Sequence, residues 1–101
     1  PMNVMMVRAK IKTESVADVE SGVHKMFAAI EAAHPNGVRY ASCRTPDGET
    51  FVALLELEDS SDNPLVHIPA FTEFQSKLKD WVAGPPTPER LEVVGSYRLF
   101  D

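Results

Sequence analysis

Three charged side chains are the clearest candidates for chemistry in this chain. Arg8, Glu56 and Arg98 each lie in a segment whose residues alternate with the two-residue period of a β-strand. If those strands are neighbours, the three side chains share one face of a sheet. They could stabilise an anionic or phenolic oxygen at a proton-abstracting site, or form an ion pair between two subunits. Tyr40 and Ser96 are predicted to lie within reach of them.

His67 is a further candidate for ligand binding, because it precedes a predicted helix and lies between two prolines. Its ring could donate to a substrate oxygen, or it could cap a backbone carbonyl. Cys43 has no neighbouring base in the sequence, which favours a small buried side chain over a nucleophile. No two histidines or carboxylates have the spacing of metal ligands, so we expect neither a metal nor a cofactor.

Pro1 suggests one other kind of enzyme. Tautomerases use a terminal proline amine as a base near neutral pH. Met2 follows directly and has the form of a natural start. The tautomerase hypothesis is therefore not favoured.

Composition limits the size and the partners of the protein. A chain of 101 residues has the length of a small domain, so we expect one domain over residues 1–101. The net charge of −5 gives no basic surface for nucleic acid or for an anionic membrane. The single cysteine, and the lack of a signal peptide or of a run of about 20 apolar residues, favour the cytoplasm.

Hydrophobic periodicity predicts the elements that position these residues. Four segments alternate apolar and polar residues, and two repeat with a period near 3.6 residues. The predicted order is strand 4–12, helix 15–33, strand 38–45, strand 50–58, a short turn at 64–67, a helix from 69 that ends before 84, and strand 90–100. This βαββαβ order predicts the ferredoxin-like α+β class, a four-stranded antiparallel sheet with two helices on one face.

Turn and cap residues support these boundaries. The segment 46–49, with the sequence PDGE, predicts a hairpin between the second and third strands. Asn63 followed by Pro64 predicts a capped helical turn. Ser15, with Asp18 three residues later, predicts a capping box at the start of the first helix.

The face of the sheet that the helices leave bare needs a cover. Apolar side chains exposed there would be an aggregation hazard in a monomer, and a chain of this length has no further element to cover them. A second copy of the chain would cover them, so we predict a homodimer. The residues that carry this prediction are Met6, Val52, Leu54, Val94 and Phe100.

Three short motifs accompany the order of elements: 63–65 (NPL) before the second helix, 69–74 (PAFTEF) within it, and 94–97 (VGSY) in the last strand. With these motifs, the whole chain resembles the dimeric α+β barrel superfamily, near the antibiotic biosynthesis monooxygenase-like proteins. The resemblance implies a homodimer with a pocket in each subunit, between sheet and helices or inside the barrel. It also implies activities that range from cofactor-independent oxidation of aromatic polyketides to haem degradation.

Haem-degrading relatives provide a sharper comparison. They place an asparagine on the first strand, a tryptophan at the start of the second helix and a histidine on that helix. By register, those positions fall near Val7 or Arg8, near Leu65 and near Gln75. None of the three matches, so haem oxygenation is disfavoured.

Two functions stay open at the level of the sequence. One is a small enzyme, resembling a monooxygenase, that oxidises an aromatic or quinol-type substrate without a cofactor. The other is a non-catalytic dimeric module that binds a small ligand or a protein. An apolar pocket with two or three converging polar groups would favour the enzyme, and a pocket filled by Phe and Met side chains would favour the module.

Overall fold

The strands form one antiparallel sheet in the order β2-β3-β1-β4, as expected for the ferredoxin-like class. The computed structural model describes residues 3–99, so the predictions for Pro1 and Phe100 lie outside the described residues. The elements are β1 (Asn3–Lys10), α1 (Val16–Ala33), β2 (Val38–Arg44), β3 (Thr50–Leu57), α2 (Pro69–Trp81) and β4 (Thr87–Leu91), with 3₁₀ turns at Thr13–Ser15 and Pro64–His67.

Both helices cover the same face of the sheet. Strand pairing places Val7 opposite Ala53, and Ala9 opposite Phe51. These side chains border one space together with residues of α1 and α2. The buried core lies on the same face and includes Val19 and Met26 of α1. The alternate residues of each strand therefore lie on the open face, since successive side chains of a strand point to opposite sides.

The first helix has the predicted apolar stripe, but its start differs from the predicted capping box. Ser15 makes no capping hydrogen bond with its side chain, because the chain enters α1 through the 3₁₀ turn Thr13–Ser15. In that turn Ser15 has a helical backbone, with φ −102° and ψ −4°, whereas a capping residue needs an extended one. The cap predicted at the second 3₁₀ turn is confirmed, since the Asn63 side chain accepts from the backbone N–H of Leu65 at 3.0 Å.

The predicted bounds of the last strand are wrong. It spans Thr87–Leu91 instead of 90–100, and it pairs only with β1, from Arg8 opposite Thr87 to Val4 opposite Leu91. The alternating segment 92–99 lies outside the sheet, and Val94 within it is 93% exposed.

The edge position of β4 also accommodates a proline. Pro88 lies opposite Val7 in the strand pairing. A proline cannot donate to a strand ladder, so within sheets it is confined to edges and strand starts. Pro88 therefore lies within the strand, which begins three residues before the predicted start at residue 90.

Within residues 3–99, neither helix combines the length and the apolar character that a membrane crossing needs.

The hairpin turn between β2 and β3 is organised by Asp47, as the segment 46–49 predicts. One carboxylate oxygen accepts from the backbone N–H groups of Glu49 at 2.8 Å and Thr50 at 2.9 Å. It also accepts from the Thr45 hydroxyl at 2.8 Å. Gly48 takes the positive φ of 77° that the turn requires. These hydrogen bonds to the ionised form hold the pKa of Asp47 well below its usual range, the bond from Glu49 contributing most.

A depressed carboxyl pKa makes the stability of this turn depend on pH. The stabilisation by Asp47 is present above the unfolded pKa of 3.8 and is lost as the pH falls through the folded pKa. We expect Asp47→Asn to lower the melting temperature at pH 7, and the difference from the wild type to shrink below about pH 4. Asp80→Asn, at an exposed position of α2, removes a charge away from the turn and is the control. A difference that persists unchanged at pH 2 would contradict this role of Asp47.

Candidate functional site

A cavity of about 220 Å³ lies between the sheet and the two helices. Small side chains of the sheet form its floor, namely Ala9, Ser42 and Ala53. Larger side chains of α2 face them, among them Phe71 and Phe74. The small side chains of the floor leave space between the sheet and the larger helical side chains. It is the arrangement that binds small organic molecules in many proteins: concave, mostly apolar, with a few polar groups.

Three polar side chains border this apolar space. Tyr40 and Ser42 lie two residues apart on β2 and therefore project from the same face. Gln75 enters from α2 and is itself exposed. A ligand in the cavity would thus meet two hydroxyl groups from the sheet and one amide from the helix.

Aromatic packing fixes the position of Tyr40. Its ring stacks on Phe27 with 5.1 Å between ring centroids and 13° between planes. It also meets the edge of Phe71 at 6.0 Å. Burial raises the pKa of Tyr40 to about 12, so the hydroxyl stays protonated at neutral pH and can donate a hydrogen bond.

Tyr40 does not join the predicted charged group. It lies opposite Leu55 on the face that the helices cover, whereas Arg8 lies on the open face opposite Val52. The prediction that Tyr40 lies within reach of Arg8 is therefore wrong, because the phase of β2 places Tyr40 on the other side of the sheet. Ser42 and Gln75 were not among the predicted site residues. The alternation of Val38, Tyr40 and Ser42 along β2 was the signal that could have placed Ser42 on the cavity face.

Glu56 pairs with a different arginine from the one predicted. Glu56 lies opposite Val4, four residues along β1 from Arg8, a separation of about 13 Å along the strand. Its carboxylate instead meets Arg39 on the neighbouring strand, with 3.4 Å between Oε1 and Nε. Glu56 is only 9% exposed, so this partner offsets much of the cost of burying the charge.

Arg98 and Ser96, which were also predicted to lie near Arg8, are outside the sheet. Arg98 has a positive φ of 60°, and its guanidinium lies 5.1 Å from the centre of the Tyr97 ring. Ser96 is exposed in the same segment. Both were placed beside Arg8 on the assumption that the last strand continues to residue 100. The grouping of Arg8, Glu56 and Arg98 is therefore wrong within one chain.

His67 ends the 3₁₀ turn Pro64–His67 and is exposed. It does not border the cavity between sheet and helices. Among the side chains of residues 3–99, no three histidine, cysteine, aspartate or glutamate residues are grouped so that they could hold a metal ion.

Solved structures resemble this chain over most of its length, whereas no protein-family model and no curated protein matches it. A protein from Nitrosomonas europaea, provisionally named an antibiotic biosynthesis monooxygenase, is 17% identical, with a TM-score of 0.77 over 92% of this chain and 90% of that chain. One from Caulobacter crescentus, named in the same way, is 20% identical, with a TM-score of 0.73 over 93% and 91% of the two chains. A variant of a cofactor-independent oxygenase from Streptomyces nogalater is 16% identical, with a TM-score of 0.71 over 96% and 97%.

These similarities are established at the level of the fold. The chain has the α+β fold of the antibiotic biosynthesis monooxygenase-like proteins, so the resemblance inferred from the order of its elements is confirmed. Fold likeness at such low identity does not transfer a reaction, which has to be argued from the cavity.

The pairing of Glu56 can be tested by a double-mutant cycle. Arg39→Met and Glu56→Gln remove the two charges of the pair, and residues in contact usually couple by about 0.5–3 kcal/mol. We expect the coupling energy, measured by urea unfolding, to lie within that range. Arg8→Met combined with Glu56→Gln is the matched control, and its two effects should add to within about 0.5 kcal/mol. Stronger coupling of Glu56 to Arg8 than to Arg39 would contradict the strand register described above.

Proposed function

We propose that this protein oxidises an aromatic or quinol-type substrate with molecular oxygen, without a cofactor, in the cavity between the sheet and the helices. The observation that carries this proposal is the apolar cavity of about 220 Å³ bordered by Tyr40, Ser42 and Gln75. The large Phe and Met side chains of the walls leave this space open. An open apolar pocket with three polar groups favours a catalytic pocket over a binding module without one.

A phenolic substrate can supply all the electrons that such a reaction needs. When a phenol becomes a quinone, it takes up one atom of O₂, and the other atom leaves as water. The phenol loses four electrons and O₂ gains four, so no external reductant is required. The cofactor-independent oxygenase of similar fold from Streptomyces nogalater supports this class of chemistry.

Tyr40 has the role of a hydrogen-bond donor in this proposal. Its raised pKa, about 12, makes it a poor acid and keeps its proton in place at neutral pH. A neutral donor in an apolar site stabilises negative charge as it develops on a substrate oxygen. Phe27 and Phe71 hold the Tyr40 ring, so the donor is positioned before the substrate binds. Tyr40 would therefore favour transfer of the substrate hydroxyl proton to solvent water at the side of the cavity where Gln75 is exposed, the step that makes the ring electron-rich toward O₂.

Replacing the Tyr40 hydroxyl tests this role. We expect wild-type protein to consume one O₂ per molecule of 1-naphthol and to release a naphthoquinone, followed with an oxygen electrode and by absorbance. Tyr40→Phe keeps the ring packing and removes the donor, so kcat/KM should fall about tenfold or more, the equivalent of about 1.4 kcal/mol. Tyr97→Phe removes the hydroxyl of a tyrosine that is 80% exposed and should leave the rate unchanged.

Two results would contradict the proposed reaction. An equal rate for Tyr40→Phe and the wild type would remove Tyr40 from the site. Binding of 1-naphthol without oxygen uptake would favour the alternative, a non-catalytic module that binds a small ligand.

We also propose that the protein acts as a homodimer. Met6, Val52 and Leu54 are half-buried on the open face of the sheet, and Val94 is 93% exposed. Apolar side chains in these positions would gain from burial against a second copy. This supports the assembly predicted from the sequence, apart from the part assigned to Phe100.

Sedimentation velocity at micromolar concentration tests the assembly. We expect the wild type to sediment as a dimer and Leu54→Asp to sediment as a folded monomer, because a carboxylate at the interface would be buried without a partner. Ala28→Asp, on the exposed side of α1, is the control and should remain dimeric. A wild-type monomer at that concentration would contradict the proposal.

A further inference from the structure

We propose that the cavity selects an uncharged aromatic substrate of at most two fused rings. This inference rests on the proposed function, since it specifies the substrate class of the same site. The volume of the cavity and its packed walls support the limit on size. The lack of charge around the cavity supports the limit to uncharged molecules.

The volume sets the upper limit on size. A cavity of about 150 Å³ is large enough to bind benzene, and pockets for drug-sized ligands hold about 300–1,000 Å³. The cavity of about 220 Å³ lies between these values. It therefore suits a two-ring molecule and is too small for a flat molecule of four fused rings.

The wall formed by Phe74 is backed by α1 and by Trp81. Gly22 of α1 packs directly against this ring, and a β-carbon at that position would lie 3.1 Å from Phe74 Cδ1. Trp81 meets the same ring edge-on, with 5.9 Å between centroids. Phe74 is thus held from behind by both helices. The floor is equally fixed, because Ala9 is a buried residue of the central strand β1.

The charge around the cavity sets the second limit. Among the described residues that border it, Tyr40 alone has a titratable side chain, and burial keeps that group neutral. The guanidinium of Arg44 lies 5.8 Å from the centre of the ring of Phe51, which borders the cavity. It is already paired with Glu20 across the edge of the sheet, at 2.9 Å. A carboxylate in the cavity would therefore lose its hydration without gaining a counter-charge, which is costly.

A neutral phenol meets both limits. It enters the cavity protonated. The Tyr40 hydroxyl can donate a hydrogen bond to its oxygen as negative charge develops there. Ser42, two residues away on the same face of β2, offers a hydrogen bond to a second oxygen of a quinol or a quinone. The polar groups of the cavity therefore fit hydroxyl and carbonyl oxygens on a small ring system.

Three ligands that vary in charge and in ring number test this inference by isothermal titration at pH 7. The first is 1-naphthol, with two rings and no charge; the second is 1-naphthoate, with the same rings and a carboxylate. The third is 1-hydroxypyrene, with four rings and no charge. We expect 1-naphthol to bind at least about tenfold more tightly than either of the others.

Two variants and one control variant test whether the ligand binds in the cavity. Ala53→Leu fills the floor and should weaken 1-naphthol binding by about tenfold or more, whereas Ala28→Leu on the exposed side of α1 should not. Leu78→Ala enlarges the cavity and should strengthen 1-hydroxypyrene binding relative to 1-naphthol. Thermal unfolding followed by circular dichroism shows whether each variant is folded. If a variant is not folded, the affinities of the three ligands for wild-type protein still decide the outcome.

The failures of this inference and of the proposed function are distinguishable. Binding of 1-hydroxypyrene or 1-naphthoate as tightly as 1-naphthol, weakened by Ala53→Leu, would overturn the size or charge limit and leave an aromatic site in place. No binding of any of the three ligands would overturn both.

Discussion

The packing of α1 against α2 at Gly22 is the constraint on which the site depends. The missing side chain at Gly22 lets Phe74 and Trp81 approach α1 closely, and this contact fixes where both helices lie above the sheet. The sheet below presents Ala9 and Ala53, which are too small to fill the space that remains. A helix pair held in place above a floor of small residues leaves a cavity that the core cannot close by relaxing, since protein interiors are densely packed and resist rearrangement.

The same constraint explains why Tyr40 is suited to its proposed role. Stacking on Phe27 of α1 and edge contact with Phe71 of α2 link the tyrosine ring to both helices. The burial that results raises the pKa of the hydroxyl to about 12. The position of Tyr40 and its raised pKa therefore have one cause, the packing of two helices on one face of the sheet. In this account the protein contributes a shaped apolar space and a fixed donor, and the substrate contributes the electrons.

Periodicity was sufficient to predict the order of elements and the helical stripe of α1, and the residue types of segment 46–49 predicted the turn at Asp47. It failed at the last strand, because alternation records which residues could form a strand and says nothing about whether a partner is present. The pairing of β4 with β1 ends at Leu91, and the alternating residues up to Leu99 lie outside the sheet. The predicted placement of Ser96 and Arg98 beside Arg8 failed for the same reason.

The candidate site was only partly accessible from the sequence. Tyr40 was selected as a site residue, but on the wrong face, and Ser42 and Gln75 were not selected. Their role depends on the cavity, which results from the summed volumes of side chains on five elements and has no signature in any one of them. The partner of Glu56 likewise depends on register: Arg8 and Arg39 lie on the same face, and only the pairing of β2 with β3 places Arg39 beside the carboxylate.

A crystal structure of the protein with 1-naphthol bound tests the central claim most directly. The account predicts that the ligand lies between the sheet and the helices, against Phe74, with its oxygen within about 3.2 Å of the Tyr40 or Ser42 hydroxyl. A ligand bound on the open face of the sheet, with the cavity between sheet and helices empty, would contradict it.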